Sequence, residues 1–125
     1  MIRGPGFTFS VPAGWKTGRT LREVTVRSGK SLVSVTTYTL LKPYRPALFA
    51  AAARELDGVA GKLAAAAGTA VTEKQTVDVA GGKIRAYRFG STRIGFVLVG
   101  KREYQLLCEN PGDACTLLFK SFSVS

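Results

Sequence analysis

Histidine is absent from the 125 residues, methionine and tryptophan occur once each, cysteine twice, and eight acids stand against eighteen Lys and Arg. Each shortage excludes something. Without histidine there is no Ser-His-Asp or Cys-His nucleophile arrangement, and nearly every zinc site is removed. A metal site built on the two cysteines, Cys108 and Cys115, would need other ligands, and only Glu109 and Asp113 stand nearby. The scattered acids nominate no pair for acid/base work. Glu55 and Asp57 fall on a helix surface, where ion pairing or solvation accounts for them. GPG at 4–6 and AGG at 80–82 lack the glycine spacing and strand-to-helix junction of a phosphate loop and read as turns. The expectation is a protein that is not an enzyme and carries no cofactor or metal. A compact cluster of Asp or Glu with Lys and Tyr in a deep pocket would argue the reverse.

Long apolar runs are also missing. The longest candidate, the Ala-rich stretch after Pro46, is interrupted by Arg54, Glu55, Asp57 and Lys62, so it belongs to a soluble core and not to a membrane span. The opening MIRGPGFTFSVPAGW contains no continuous apolar segment followed by a small-residue cleavage site, so no export leader is expected within it. A length of 125 residues fits one domain, 1–125, able to bury roughly two thirds of its unfolded surface. Hydrophobic residues at 46% and charged ones at 21% are ordinary for a globular chain, which argues against disorder.

What is present begins with the charge, formally +10. Up to Arg45 the chain carries Arg3, Lys16, Arg19, Arg22, Arg27, Lys30, Lys42 and Arg45 against Glu23 alone. Such a field attracts polyanions or anionic lipid headgroups in a salt-dependent way. The candidates for a polyanion site are Arg19, Arg22, Arg27, Lys30, Lys42 and Arg45. Because these charges are spread singly among strands and turns, a solvated basic surface is the competing reading. Tyr38, Tyr44, Tyr87 and Tyr104 interleave with Arg45, Arg85 and Arg88, as a nucleic-acid stacking surface would require. Half-exposed strands show the same alternation, so nucleic acid ranks low among partners.

Periodicity divides the chain into one long helix and a set of strands. From Pro46 to about Ala67, Leu48, Ala52, Leu56, Val59, Leu63 and Ala66 recur in steps of three and four, which predicts one buried face. Gly58 and Gly61 inside it imply close packing of backbone against a sheet, since each otherwise costs about 1 kcal/mol. Alternation predicts strands over Phe7–Val11, 21–28, 31–41, 71–79, 83–89, 93–99 and 103–108. The 31–41 strand is apolar on both faces, which places it centrally. Turns are expected at Ser28–Lys30, at Ala80–Gly82, at Gly90–Ser91 and at Gly100–Lys101, and separators this short make the last four strands an antiparallel meander. ENPGD then turns into a short helix over Ala114–Lys120, with Asp113 as its cap and Phe119, Phe122 and Val124 packing back on the core. The fold class is α+β, with a mostly antiparallel sheet of six to seven strands, the long helix after the third strand, and a short C-terminal helix.

Cys108 ends a strand and Cys115 begins a helix, joined by ENPGDA, so the two thiols can meet across the turn. A disulfide closing this short loop would stabilise by about 2 to 3 kcal/mol and would suit an oxidising compartment. The alternative is two small buried thiols in a cytosolic protein. The spacing is not that of a redox CxxC motif.

The order of elements, with an aromatic strand running into a Pro-x-Gly-Trp turn (Phe7, Phe9, Pro12, Gly14, Trp15) and a close on Cys115, Ser121, Phe122 and Val124, resembles the PsbP/Mog-like superfamily. Within it the chain is similar to DcrB- and LpqN-type bacterial envelope lipoprotein domains. The resemblance implies an α/β/α sandwich, no catalysis, and an exported, often membrane-tethered domain that binds a partner or chaperones apolar segments. It carries no functional site residue by residue, and the lipobox cysteine of such proteins is missing here. The expectation is therefore an accessory domain of the cell envelope that holds a protein or lipid partner on its sheet face or in the groove beside the long helix. The alternative is a basic polyanion-binding domain, acting on anionic lipid, cell-wall polymer or nucleic acid, with a cytoplasmic location as the alternative to an extracytoplasmic one.

Overall fold

A computed structural model describes residues 1–79, 82–110 and 113–124. Ala80 and Gly81 of the expected AGG turn, Pro111 and Gly112 of the ENPGD turn, and Ser125 lie outside the described residues. Among the described residues the alternating segments form two antiparallel sheets. A small one has the order β1 (Ile2–Gly4), β2 (Phe7–Phe9), β9 (Ser123–Val124). The main sheet is six-stranded and is built from β3 (Lys16–Arg19), β4 (Glu23–Ser28), β5 (Ser31–Tyr44), β6 (Glu73–Val79), β7 (Gly82–Phe89) and β8 (Thr92–Glu109). Its spatial order is β3-β4-β5-β8-β7-β6. A 3₁₀ turn at Pro46–Leu48 leads into α1 (Phe49–Ala66), and α2 (Asp113–Ser121) closes the chain ahead of β9. The long helix thus follows the third strand of the main sheet, and β5 is internal in it, but only one of its faces is covered: Val33 and Val35 are fully buried, whereas Tyr38 and Leu41 of the expected apolar faces are 39% and 101% exposed.

The two helices lie on opposite faces of the main sheet, because alternation along each strand sends neighbouring residues to different cores. On β7, Ile84 and Ala86 join Ala114, Cys115, Leu118 and Phe119 of α2, while Tyr87 and Phe89 join Leu56, Ala60 and Ala64 of α1. The layers are therefore helix, sheet, and helix with the small sheet beside it. On the α2 face, Phe7 of β2 contacts Phe9, Tyr104 and Phe122 at ring-centroid distances of 6.0, 5.5 and 5.7 Å. Ser121 clips this layer together, its hydroxyl donating to Leu117 O at 2.6 Å and accepting from the Ser10 amide at 2.8 Å. Gly95 is required here, since a Cβ on it would meet the Phe119 ring at 2.6 Å. The Arg93 guanidinium lies over that same ring, 4.2 Å from its centre.

Three expectations are corrected. The segments 93–99 and 103–108 are one 18-residue strand, β8, and not two legs of a meander. Its first half pairs with β7 and its second half with β5. Gly100, at φ 56°, bends the strand without reversing it. The bend also inverts side-chain parity, so that Val97 and then Tyr104, Leu106 and Cys108 all point to the α2 face.

The buried stripe of α1 is Leu56, Ala60 and Ala64, whereas Leu48, Val59 and Leu63 of the expected stripe remain 50%, 44% and 39% exposed. Large rings rise from the sheet beneath, and apart from Leu56 only small helix residues fit above them. Gly58 and Gly61 are exposed, and a Cβ on either would meet nothing within 4 Å, so they do not serve close packing.

Candidate functional site

Because α1 opposes the sheet mainly with alanines, it does not seal against it along its length. Under its N-terminal end a cleft of about 500 Å³ opens between helix and sheet. Its walls come from six segments. Tyr44 ends β5, Pro46 starts the 3₁₀ turn, Phe49 and Leu56 descend from α1, and Phe96 and Leu98 rise from β8. Lys83, Arg85 and Asp78 supply the polar side. Lys83 pairs with Asp78 at 3.1 Å and holds its ammonium 6.0 Å from the centre of the Phe49 ring. The volume falls in the range of about 300 to 1,000 Å³ typical of small-molecule sites, and the mixture of apolar walls with few polar groups is also typical.

A second hollow, of about 520 Å³, lies between the C-terminal half of α1 and β6, with Asp57, Gly61, Thr69, Glu73, Lys74 and Tyr87 on its walls. The partition between the two is ionic. Arg85 Nε and Nη2 donate to Asp57 Oδ1 and Oδ2 at 3.0 and 3.1 Å, and Arg85 Nη1 donates to Thr76 Oγ1 at 3.0 Å. The Tyr87 hydroxyl donates a short bond to Asp57 Oδ1, and Lys74 Nζ stands 3.8 Å from Asp57 Oδ2.

This is an acid with Lys and Tyr, the composition that would mark catalysis, but its electrostatics are those of a packed ion pair. Burial pushes the Tyr87 phenol up to about 12, reinforced by its bond to Asp57, so the hydroxyl stays protonated. Burial alone would raise Asp57, but hydrogen bonds from Tyr87 and Arg85, with the charges of Arg85 and Lys74, bring it below the usual carboxylate value. Burial likewise opposes the charge on Arg85, and its bonds to Tyr87 and Asp57 raise it nonetheless. Asp57, Arg85 and Tyr87 thus hold one another through their hydrogen bonds, with Lys74 alongside.

The six basic candidates are only partly brought together. Arg27 sits opposite Lys16 in the β3–β4 register, while Arg19 pairs with the core residue Val24 and donates to Arg3 O at 2.5 Å, on the other face. Lys16, Arg19 and Arg27 border a shallow hollow of about 430 Å³ along edge strand β3. Arg22 is in the β3–β4 loop and Lys30 in the β4–β5 hairpin. Lys42 and Arg45 are at the opposite end of β5, roughly 40 Å from Lys30 at the rise of an extended strand. Of the interleaved tyrosines, Tyr87 and Tyr104 are buried at 2% and 0% exposure and offer no stacking surface.

The disulfide between Cys108 and Cys115 is formed, with Cα atoms 5.7 Å apart, and ties α2 to β8 on the face away from the cleft. Among the described residues there is no group of His, Cys, Asp and Glu able to hold a metal ion, and no helix is long and apolar enough to cross a membrane. Sequence reasoning named the groove beside the helix but none of its walls. Tyr44 and Phe49 precede Phe96 and Leu98 by about fifty residues, and the two pairs carry no shared local pattern. Compared with known proteins, the chain matches no protein-family model and no curated protein.

Proposed function

We propose that the protein is a non-catalytic binding domain that holds the apolar part of a lipid-like ligand in the cleft under the N-terminal end of α1. The observation that carries this reading is the cleft itself, about 500 Å³ and walled by Tyr44, Phe49, Leu56, Phe96 and Leu98. A cavity lined by such side chains gains by exchanging water for an apolar guest. Lys83, with its side chain 54% exposed, would meet an anionic headgroup by exchanging its pair with Asp78.

An extracytoplasmic setting belongs to the same reading, supported by the Cys108–Cys115 disulfide, since such bonds persist outside the reducing cytosol. Membership of the PsbP/Mog-like superfamily is proposed with it. The support is the order of elements, with the long helix after the third main-sheet strand and the short closing helix on the opposite face.

The test is calorimetric titration with dodecanoate, using the native chain and Leu98→Trp. Leu98 is only partly buried, so the larger ring fills the cleft without displacing the core. The native chain is expected to bind, and the variant to bind at least tenfold more weakly with an unchanged melting temperature. Failure of the native chain to bind dodecanoate, or equal binding by both, would count against the cleft.

A further inference from the structure

One end of the molecule combines exposed leucines with unpaired cations. Strand β5 pairs with β8 as far as Thr39 opposite Arg102, and pairing resumes at Tyr44 opposite Gly100. Between those points four residues, Leu40 to Pro43, face the single Lys101, so the surplus chain is thrown outward. Leu41 is consequently 101% exposed, and no other described residue covers it. Leu48, on the 3₁₀ turn that follows, is 50% exposed. Lys42, Arg45 and Lys101 are exposed around them, and no ion pair among the described residues uses any of the three. The nearby Asp78 is already paired with Lys83. Pro43 and Pro46 restrict the backbone on either side of Arg45, so the arrangement loses little freedom on binding.

A protruding leucine flanked by cations fits a particular partner. A concave protein site would have to embrace Leu41 and also supply acids around it. A bilayer with anionic headgroups does both, taking the apolar side chain below the phosphates while Lys and Arg meet them at the surface. We propose that this tip docks the protein onto an anionic lipid surface, with Leu41 and Leu48 entering the acyl boundary and Lys42, Arg45 and Lys101 contacting lipid phosphates. The proposal stands whether or not the cleft binds a ligand. Tyr44 and Pro46 belong to both features, so the cleft opens beside the docked surface.

The experiment is flotation with vesicles of phosphatidylcholine alone and with vesicles of phosphatidylcholine and phosphatidylglycerol in equal parts. Four proteins are compared: the native chain, Leu41→Asp, the double variant Lys42→Glu with Arg45→Glu, and the double variant Lys16→Glu with Arg27→Glu. The last has the same change in net charge but lies at the other end of the sheet. The three variants alter exposed side chains, and circular dichroism checks that each is folded.

The native chain is expected to float with the mixed vesicles only. Lys42→Glu with Arg45→Glu should weaken binding at least twenty-fivefold, about fivefold for each charge removed. Leu41→Asp should weaken it about tenfold, and the distant pair should stay within about twofold of native after screening. No flotation of the native chain would overturn the proposal, as would equal loss for the two double variants or no effect at Leu41. Binding to heparin in place of vesicles at matched salt would also overturn it, in favour of a soluble polyanion.

Discussion

The two faces of the six-stranded sheet are covered in different ways. Over the α2 face lie interlocked rings, Phe7, Phe9, Tyr104 and Phe122, each no more than 1% exposed, with Leu118 and a disulfide holding the helix in place. Over the other face lies a longer helix that contributes only Leu56 and small side chains, and it covers β7 and the adjoining half of β8. Beyond it, the α1 face of β4 and β5 is polar, with Thr25 and Thr36 donating to the Glu23 carboxylate at 2.9 and 3.1 Å. The shorter helix therefore makes the denser core. The contrast indicates that stability is concentrated on the α2 face, leaving the α1 face free to keep a cavity that a tightly packed helix would have filled.

Truncation should expose this asymmetry most strongly. Phe122→Ala removes a ring packed against Phe7 and Tyr104 at 5.7 and 5.8 Å and is expected to cost about 3 to 5 kcal/mol by denaturant unfolding. Leu56→Ala, at 8% exposure beside an existing cleft, should cost about 2 kcal/mol, the low end for its type. Equal losses would remove the distinction between the faces. Replacing Cys108 and Cys115 together by Ala opens a loop of sequence separation 7 and should lower stability by about 2 to 3 kcal/mol. Dodecanoate binding should survive in the folded fraction, because the bridge is on the opposite face from the cleft.

The ionic partition should have a pH signature at both ends of the scale. Tyr87 rises from 10.0 unfolded to about 12 folded, so its contribution is complete below pH 10 and disappears as pH climbs toward 12. Stability should fall in that window by on the order of 2 kcal/mol, and Tyr87→Phe should flatten the profile there. Asp57 moves the other way. Its contribution is present above its ordinary value of 3.8 and is lost as the solution is acidified through the lower folded value. Asp57→Asn should cost about 1 to 3 kcal/mol at neutral pH, since the half-buried Arg85 loses its carboxylate partner. The smallest effect has the opposite sign. Gly58→Ala and Gly61→Ala meet no neighbour and should each raise stability by about 1 kcal/mol.

Particular residues explain what could be read in advance. Val24, Val26, Val33 and Val35 alternate with polar neighbours, and each is at most 2% exposed, so period two located β4 and β5 directly. Cys108 and Cys115 were legible because their partners are close in sequence. The helix stripe was misread because alanine carries little hydrophobic signal. In sequence, leucine and valine mark the inner face, whereas Ala60 and Ala64 occupy it above larger rings from the sheet. Gly100 with Lys101 looks locally like a turn, and a positive φ serves a bend as well as a reversal, so only pairing with two different neighbours reveals β8 as one strand. The cleft left no trace in sequence because its walls meet only through tertiary packing.

The central claim is that the α1 face is the binding face and the α2 face its support. Amide chemical-shift mapping with dodecanoate tests this most directly. The account predicts saturable shifts at Phe49, Leu56, Phe96 and Leu98, with Phe7, Leu118 and Phe122 unmoved. Shifts centred on the α2 face, or none at saturating ligand, would contradict it.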